Sequence, residues 1–140
     1  MEAVKKGFLE KLKALAALDF PEDQYVIWGS GPLAIRGLRE ARDIDLVVTK
    51  DFWDKLVQKY PPEGPKKNKI KIGEIEIWRD LLNLTDQIDA IIADCEIIEG
   101  FPFMKLAYTL EWKRYWNSKK DPKDIALIEK YCQCEKIKER

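Results

Sequence analysis

The chain has 140 residues, a common size for one folding unit, of which 46% are hydrophobic, 11% aromatic and 36% charged. Its 25 basic and 25 acidic side chains cancel, so no overall field draws in long nucleic acid and any anionic ligand must be held locally. Histidine is absent, which excludes serine–histidine and cysteine–histidine nucleophiles and histidine metal sites and leaves the chemistry to carboxylates, amines and hydroxyls.

Val4, Phe8, Leu12 and Leu15 recur at helical spacing among lysines and glutamates, which predicts an amphipathic helix to about Leu18. A turn at Asp19–Asp23 leads into the apolar run Tyr25–Trp28, a buried strand ending at Gly29. Ser30 or Gly31 then caps a short helix, with Pro32 in its first turn, over Leu33 to about Leu38. Asp43–Val48 reads as a central strand, followed by a helix to Tyr60 capped by Thr49 or Asp51. Pro61–Pro65 forms an exposed loop. Ile70, Ile72, Ile75 and Ile77 flank Gly73-Glu74, as two short strands with a tight turn or as one bulged strand. Residues Ile88 to Cys95 read as helix, Glu96–Ile98 as an edge strand and Gly100–Pro102 as a connection. Met104–Asn117 and the segment from Asp121-Pro122 onward form two last helices.

The expected fold class is α/β (α+β): a short mixed sheet of four or five strands flanked by helices. Cys95, Cys132 and Cys134 are an odd set with no partner cluster and read as reduced thiols. No stretch approaches the roughly 18 to 20 apolar residues that cross a bilayer, and the first residues lack a signal-peptide core. A cytoplasmic location with no membrane partner is the expectation.

Residues two apart on a strand share a face, so Asp43 and Asp45 present their carboxylates together while Ile44 and Leu46 point inward. Like charges this close repel unless a cation lies between them, and a hard, oxygen-seeking ion such as magnesium suits them. Upstream, Gly29-Ser30 lies at a strand end and helix start, where backbone N–H groups can hold phosphates. Arg36, Arg39 and Arg42 precede the acidic pair, as structural counter-charges or as phosphate grips, with Arg39 the preferred substrate contact. The five tryptophans read mainly as core, with Trp112 and Trp116 as candidate nucleobase contacts.

Gly29-Ser30, twelve intervening residues and Asp43-Ile-Asp45 closely resemble the signature of the nucleotidyltransferase superfamily related to DNA polymerase β. The segment Leu33–Leu46 is similar to the small prokaryotic branch of minimal and abortive-infection-type (toxin–antitoxin) enzymes. The resemblance covers roughly residues 23 to 130. It implies a single unit over 1–140, with catalytic sheet and helices in 1–100 and a helical lid in 101–140. It also implies a third acid, matched by Glu76 with Glu74 as second choice, two magnesium ions on Asp43, Asp45 and Glu76, and an NTP donor, ATP foremost. Gly29, Ser30, Arg39, Lys113 and Lys120 would hold the nucleotide, although Asn117-Ser118 stands where a Gly-Arg pair is common. The alternative for Lys113 and Lys120 is a solvated helix face. The implied activity is transfer of NMP to a hydroxyl acceptor on a protein, an RNA end or a small molecule. The rival is a non-catalytic nucleotide-binding or antitoxin-like partner module of the same fold.

Overall fold

The structure, a computed structural model, describes residues 2–116 and 121–138. Six strands, β1 (Tyr25–Trp28), β2 (Ile44–Val48), β3 (Lys69–Ile72), β4 (Ile75–Trp78), β5 (Glu96–Ile98) and β6 (Phe101–Phe103), form one mixed sheet in the order β3-β4-β2-β1-β6-β5. Among the described residues the α-helices are α1 (Glu2–Leu18), α2 (Gly31–Ala34), α3 (Lys50–Lys59), α4 (Ile88–Ala93), α5 (Leu106–Trp116) and α6 (Asp121–Lys138). None is long and apolar enough to cross a membrane.

The central strands are apolar on both faces because both faces are covered, as the unbroken run Leu46-Val-Val48 requires. Tyr25, Ile27, Ile44, Leu46, Val48, Ile75 and Ile77 join Phe8, Leu12 and Leu15 of α1 and Phe52 and Leu56 of α3 in one core. Val26, Trp28 and Val47 join Ile88, Ile91 and Ile92 of α4 in a second. The alternation that puts Ile44 and Leu46 into the first core turns Asp45 to the other face. α3 starts where expected, with Thr49 Oγ1 accepting from Phe52 N at 3.3 Å.

One open reading is decided and two local readings change. Of the two alternatives for Ile70–Ile77, the pair of short strands with a tight turn is the one formed, a hairpin with Ile70 opposite Ile77 and Ile72 opposite Ile75. The helix after Gly29-Ser30 is shorter than Leu38. Leu38 N donates to Leu33 O at 3.0 Å and Gly37 N to Ala34 O at 3.0 Å, with Gly37 at φ +74°, a glycine-terminated close that stops the helix. The connection expected at Gly100–Pro102 is instead largely strand, since Phe101 and Pro102 belong to β6, which raises the strand count to six. β6 runs parallel to β1 through Ile27 opposite Phe103, and Met104 N donates to Ile27 O at 2.8 Å. Three residues suffice there because Phe103 is wholly buried.

Candidate active site

Strand directions gather the acidic residues at one end of the sheet. β1 is antiparallel to β2, and β2 is parallel to β4, so β1 ends where β2 and β4 begin. Trp28 stands opposite Asp45, and Asp45 opposite Glu76. Strands so paired lie about 4.8 Å apart, so the two carboxylates project side by side from neighbouring strands. Asp43 lies one residue before β2 and, with Asp45, Ser30 and Arg39, lines a cleft of about 570 Å³ whose far wall is α1. Gly29 permits this crowding. Its φ is +71°, and a Cβ there would stand 2.8 Å from Asp45 Oδ2.

Asp45 carries a strongly altered charge. Burial, then the neighbouring Glu76 carboxylate, push its pKa up to about 7; a bond shared with Glu76 and the charge of Asp43 add to this. Trp78 opposes the shift, its Nε1 donating to Asp45 Oδ1 at 3.4 Å. Among the described residues, the cation in contact with Glu76 is Lys69, its Nζ at 3.4 Å and also over the Trp78 ring, while Lys71 stands opposite Glu76 on β3. Glu74 is exposed in the turn.

A divalent ion fits this donor set by chemistry, since the groups are carboxylates with no soft ligand among them and Asp45 is held short of full ionisation by burial and by the adjacent Glu76 charge, both of which a cation would offset. Among the described residues, no three acidic or thiol side chains are already gathered into an ion cage. No family model matches the chain, and neither does any curated protein or solved structure.

A second, narrower cleft of about 190 Å³ opens on the other side of Asp45 and shares Ser30, Arg39 and Asp45 with the first. Its wall is aromatic. Trp28 meets Trp112 edge to face at 4.8 Å, and Trp112 stacks on Trp116 with centroids 6.4 Å apart and planes 18° apart. Trp116 is 53% exposed. The indole N–H groups of Trp28 and Trp112 are buried without a hydrogen-bond partner among the described residues. Gly29 and Ser30 sit at the mouth, and the Ser30 side chain makes no cap bond to α2.

The expected phosphate cations are placed differently from one another. Lys113 is not on a solvated face: it is 4% exposed, its Nζ donating to Asp124 Oδ2 at 3.0 Å and lying 3.7 Å from Asp121 Oδ1. Arg39 Nη1 donates to both oxygens of the same Asp124, at 3.1 and 2.9 Å. Arg36 pairs with Glu96 and donates to Pro32 O, away from the acidic pair. Lys120 lies outside the described residues. Nothing local in the sequence reveals this pairing, because Arg39 lies 85 residues from Asp124. Lys11 was likewise invisible. Its Nζ donates to Ala41 O and Arg42 O, both at 2.9 Å, fixing the turn that delivers Asp43.

Proposed function

We propose that this protein is a magnesium-dependent nucleotidyltransferase with the fold of the DNA polymerase β superfamily and a C-terminal helical lid, moving NMP from an NTP, ATP foremost, to a hydroxyl acceptor. The observation that carries the reading is the register of Asp45 beside Glu76 with Gly29 packed against the same carboxylate. Charged groups this close in a partly buried place are costly without a counter-ion, and such perturbed carboxylates concentrate at reaction sites.

Asp43, Asp45 and Glu76 would hold magnesium, which would supply electrostatic stabilisation of the phosphates and a more acidic acceptor hydroxyl. Gly29-Ser30 orients the donor, and the tryptophan cleft takes its base by stacking. The acceptor oxygen forms the new bond to the α-phosphorus while the bond from that phosphorus to the bridging oxygen breaks. The bond's electron pair leaves with pyrophosphate, and Glu76 accepts the hydroxyl proton.

The test is incubation with α-³²P-labelled NTPs and Mg²⁺ beside protein, RNA and small-molecule fractions, wild type against Asp43→Ala. Label in one fraction with wild type alone is the expected result. The second reading, a nucleotide-binding partner module without catalysis, draws on Asp124, which already occupies both Arg39 and Lys113. Mg-NTP binding with no labelled fraction would select it.

A further inference from the structure

The wide cleft has a wall that lies outside the segment carrying the resemblance. Helix α1 lines it with Gly7 and Lys11, facing Ser30, Arg39, Arg42 and Asp43. Gly7 recesses this wall, since a Cβ there would meet no atom within 4 Å. Lys11 bonds only to backbone carbonyls among the described residues, so its charge has no carboxylate partner there. Arg42 is exposed and makes no ion pair among the described residues.

Size and charge both bear on what enters. Pockets for small ligands run to about 300–1,000 Å³, so the 190 Å³ tryptophan cleft holds a ring and not a whole nucleotide. A nucleotide seated there by its base must continue past the shared residues Ser30, Arg39 and Asp45 into the 570 Å³ cleft. That cleft has carboxylates beside the sheet, cations on α1 and on the 39–43 turn, and one further carboxylate, Glu40, on that turn. An uncompensated anion would meet both signs of charge, whereas a metal-bound polyphosphate matches both.

We infer that the cleft between α1 and residues 39–43 receives the β- and γ-phosphates of the donor and releases them as pyrophosphate, with Lys11 and Arg42 as cations that meet them. This rests on the nucleotidyltransferase reading and adds α1 to the donor site. Specificity for a triphosphate over a monophosphate then resides in α1 and Arg42, apart from the tryptophans that meet the base.

The test is calorimetric titration of the full chain with Mg-pyrophosphate, AMP and Mg-ATP. Gly7 is exposed within a helix, and both Glu and Lys are better helix formers than Gly, so substitution there preserves folding. Wild type is expected to bind AMP and Mg-pyrophosphate together. Gly7→Glu and Arg42→Gln should each weaken Mg-pyrophosphate at least tenfold and leave AMP unchanged, while Gly7→Lys should not weaken it. Wild-type affinity for Mg-pyrophosphate in both Gly7→Glu and Arg42→Gln, or displacement of AMP by Mg-pyrophosphate, would overturn the subsite while Mg-ATP binding keeps the broader reading. Failure of the wild type to bind either Mg-ATP or AMP would overturn both.

Discussion

Two acidic pairs lie close together in this molecule and are treated in opposite ways. Asp121 and Asp124, 3% and 2% exposed, are met by Lys113, and Asp124 is met also by the guanidinium of Arg39. Asp45 and Glu76 face each other and, among the described residues, are ion-paired only by Lys69, 3.4 Å from Glu76. The first pair is charge-matched and ties α5 and α6 to the loop before β2. The second is left short of positive charge, and Asp45 responds by holding its proton to about pH 7. Matched buried charges serve architecture; a deficit held at the end of three strands is a place for an incoming cation.

The sharpest way to break the contrast is to unmatch the matched pair. Lys113→Met removes the cation that Asp121 and Asp124 share, leaves Asp124 buried with Arg39, and should cost about 3–5 kcal/mol, read by urea unfolding. A loss below 1 kcal/mol would mean that water reaches those aspartates.

The opposite change relieves the unmatched pair. Asp45 has a folded pKa above its unfolded value of 3.8, so the native state binds the extra proton between about pH 4 and 7. Its contribution to stability is therefore present below pH 4 and lost as pH rises through 7. Asp45→Asn should match wild type near pH 4 and exceed it at pH 7.5 by roughly 2 to 4 kcal/mol. A variant less stable than wild type at pH 7.5 would make the pair structural.

Supplying the missing charge should act on wild type alone. Mg-NTP at a hundred times its dissociation constant stabilises by about 2.7 kcal/mol, visible as a rise in melting temperature that Asp45→Asn abolishes. The smallest expected change is at the exposed end of the aromatic wall. Trp116→Ala should alter stability by less than about 0.5 kcal/mol while weakening nucleotide binding roughly tenfold, equivalent to one stacking contact. Equal nucleotide affinity would remove Trp116 from the site.

Spacing reveals what is local and periodic. The two-residue repeat of β2 and β4, the Thr49 cap and the turn at Gly73 all follow from neighbours a few positions apart, and the same spacing singled out Asp43 and Asp45, whereas Glu76 came from the family resemblance. The chain gave no comparable sign of β6, because Phe101-Pro-Phe103 is only three residues long and proline, lacking an N–H, is normally a mark against an internal strand. The solvated-face alternative for Lys113 fails for the same kind of reason. Its partners Asp121 and Asp124 lie on a separate helix, and helical spacing alone does not distinguish a buried lysine with partners from an exposed one. The tie from Lys11 to the 41–42 carbonyls depends on how α1 crosses the sheet, a matter of tertiary packing.

The position of β6 bears on how the protein is made. β2, the partner on one edge of β1, follows it directly along the chain, whereas the other edge has no partner until residue 103 is available to lie beside Ile27. Growing from its N-terminus, the chain therefore presents Tyr25–Trp28, one of its most apolar segments, as an unguarded strand edge while most of its length is synthesised. Sheet completion is a late, long-range closure with a slow rate to match. A nascent chain stalled before Phe101 would be the form most prone to pair with a neighbour's strand, and the form in which a chaperone has most to hold.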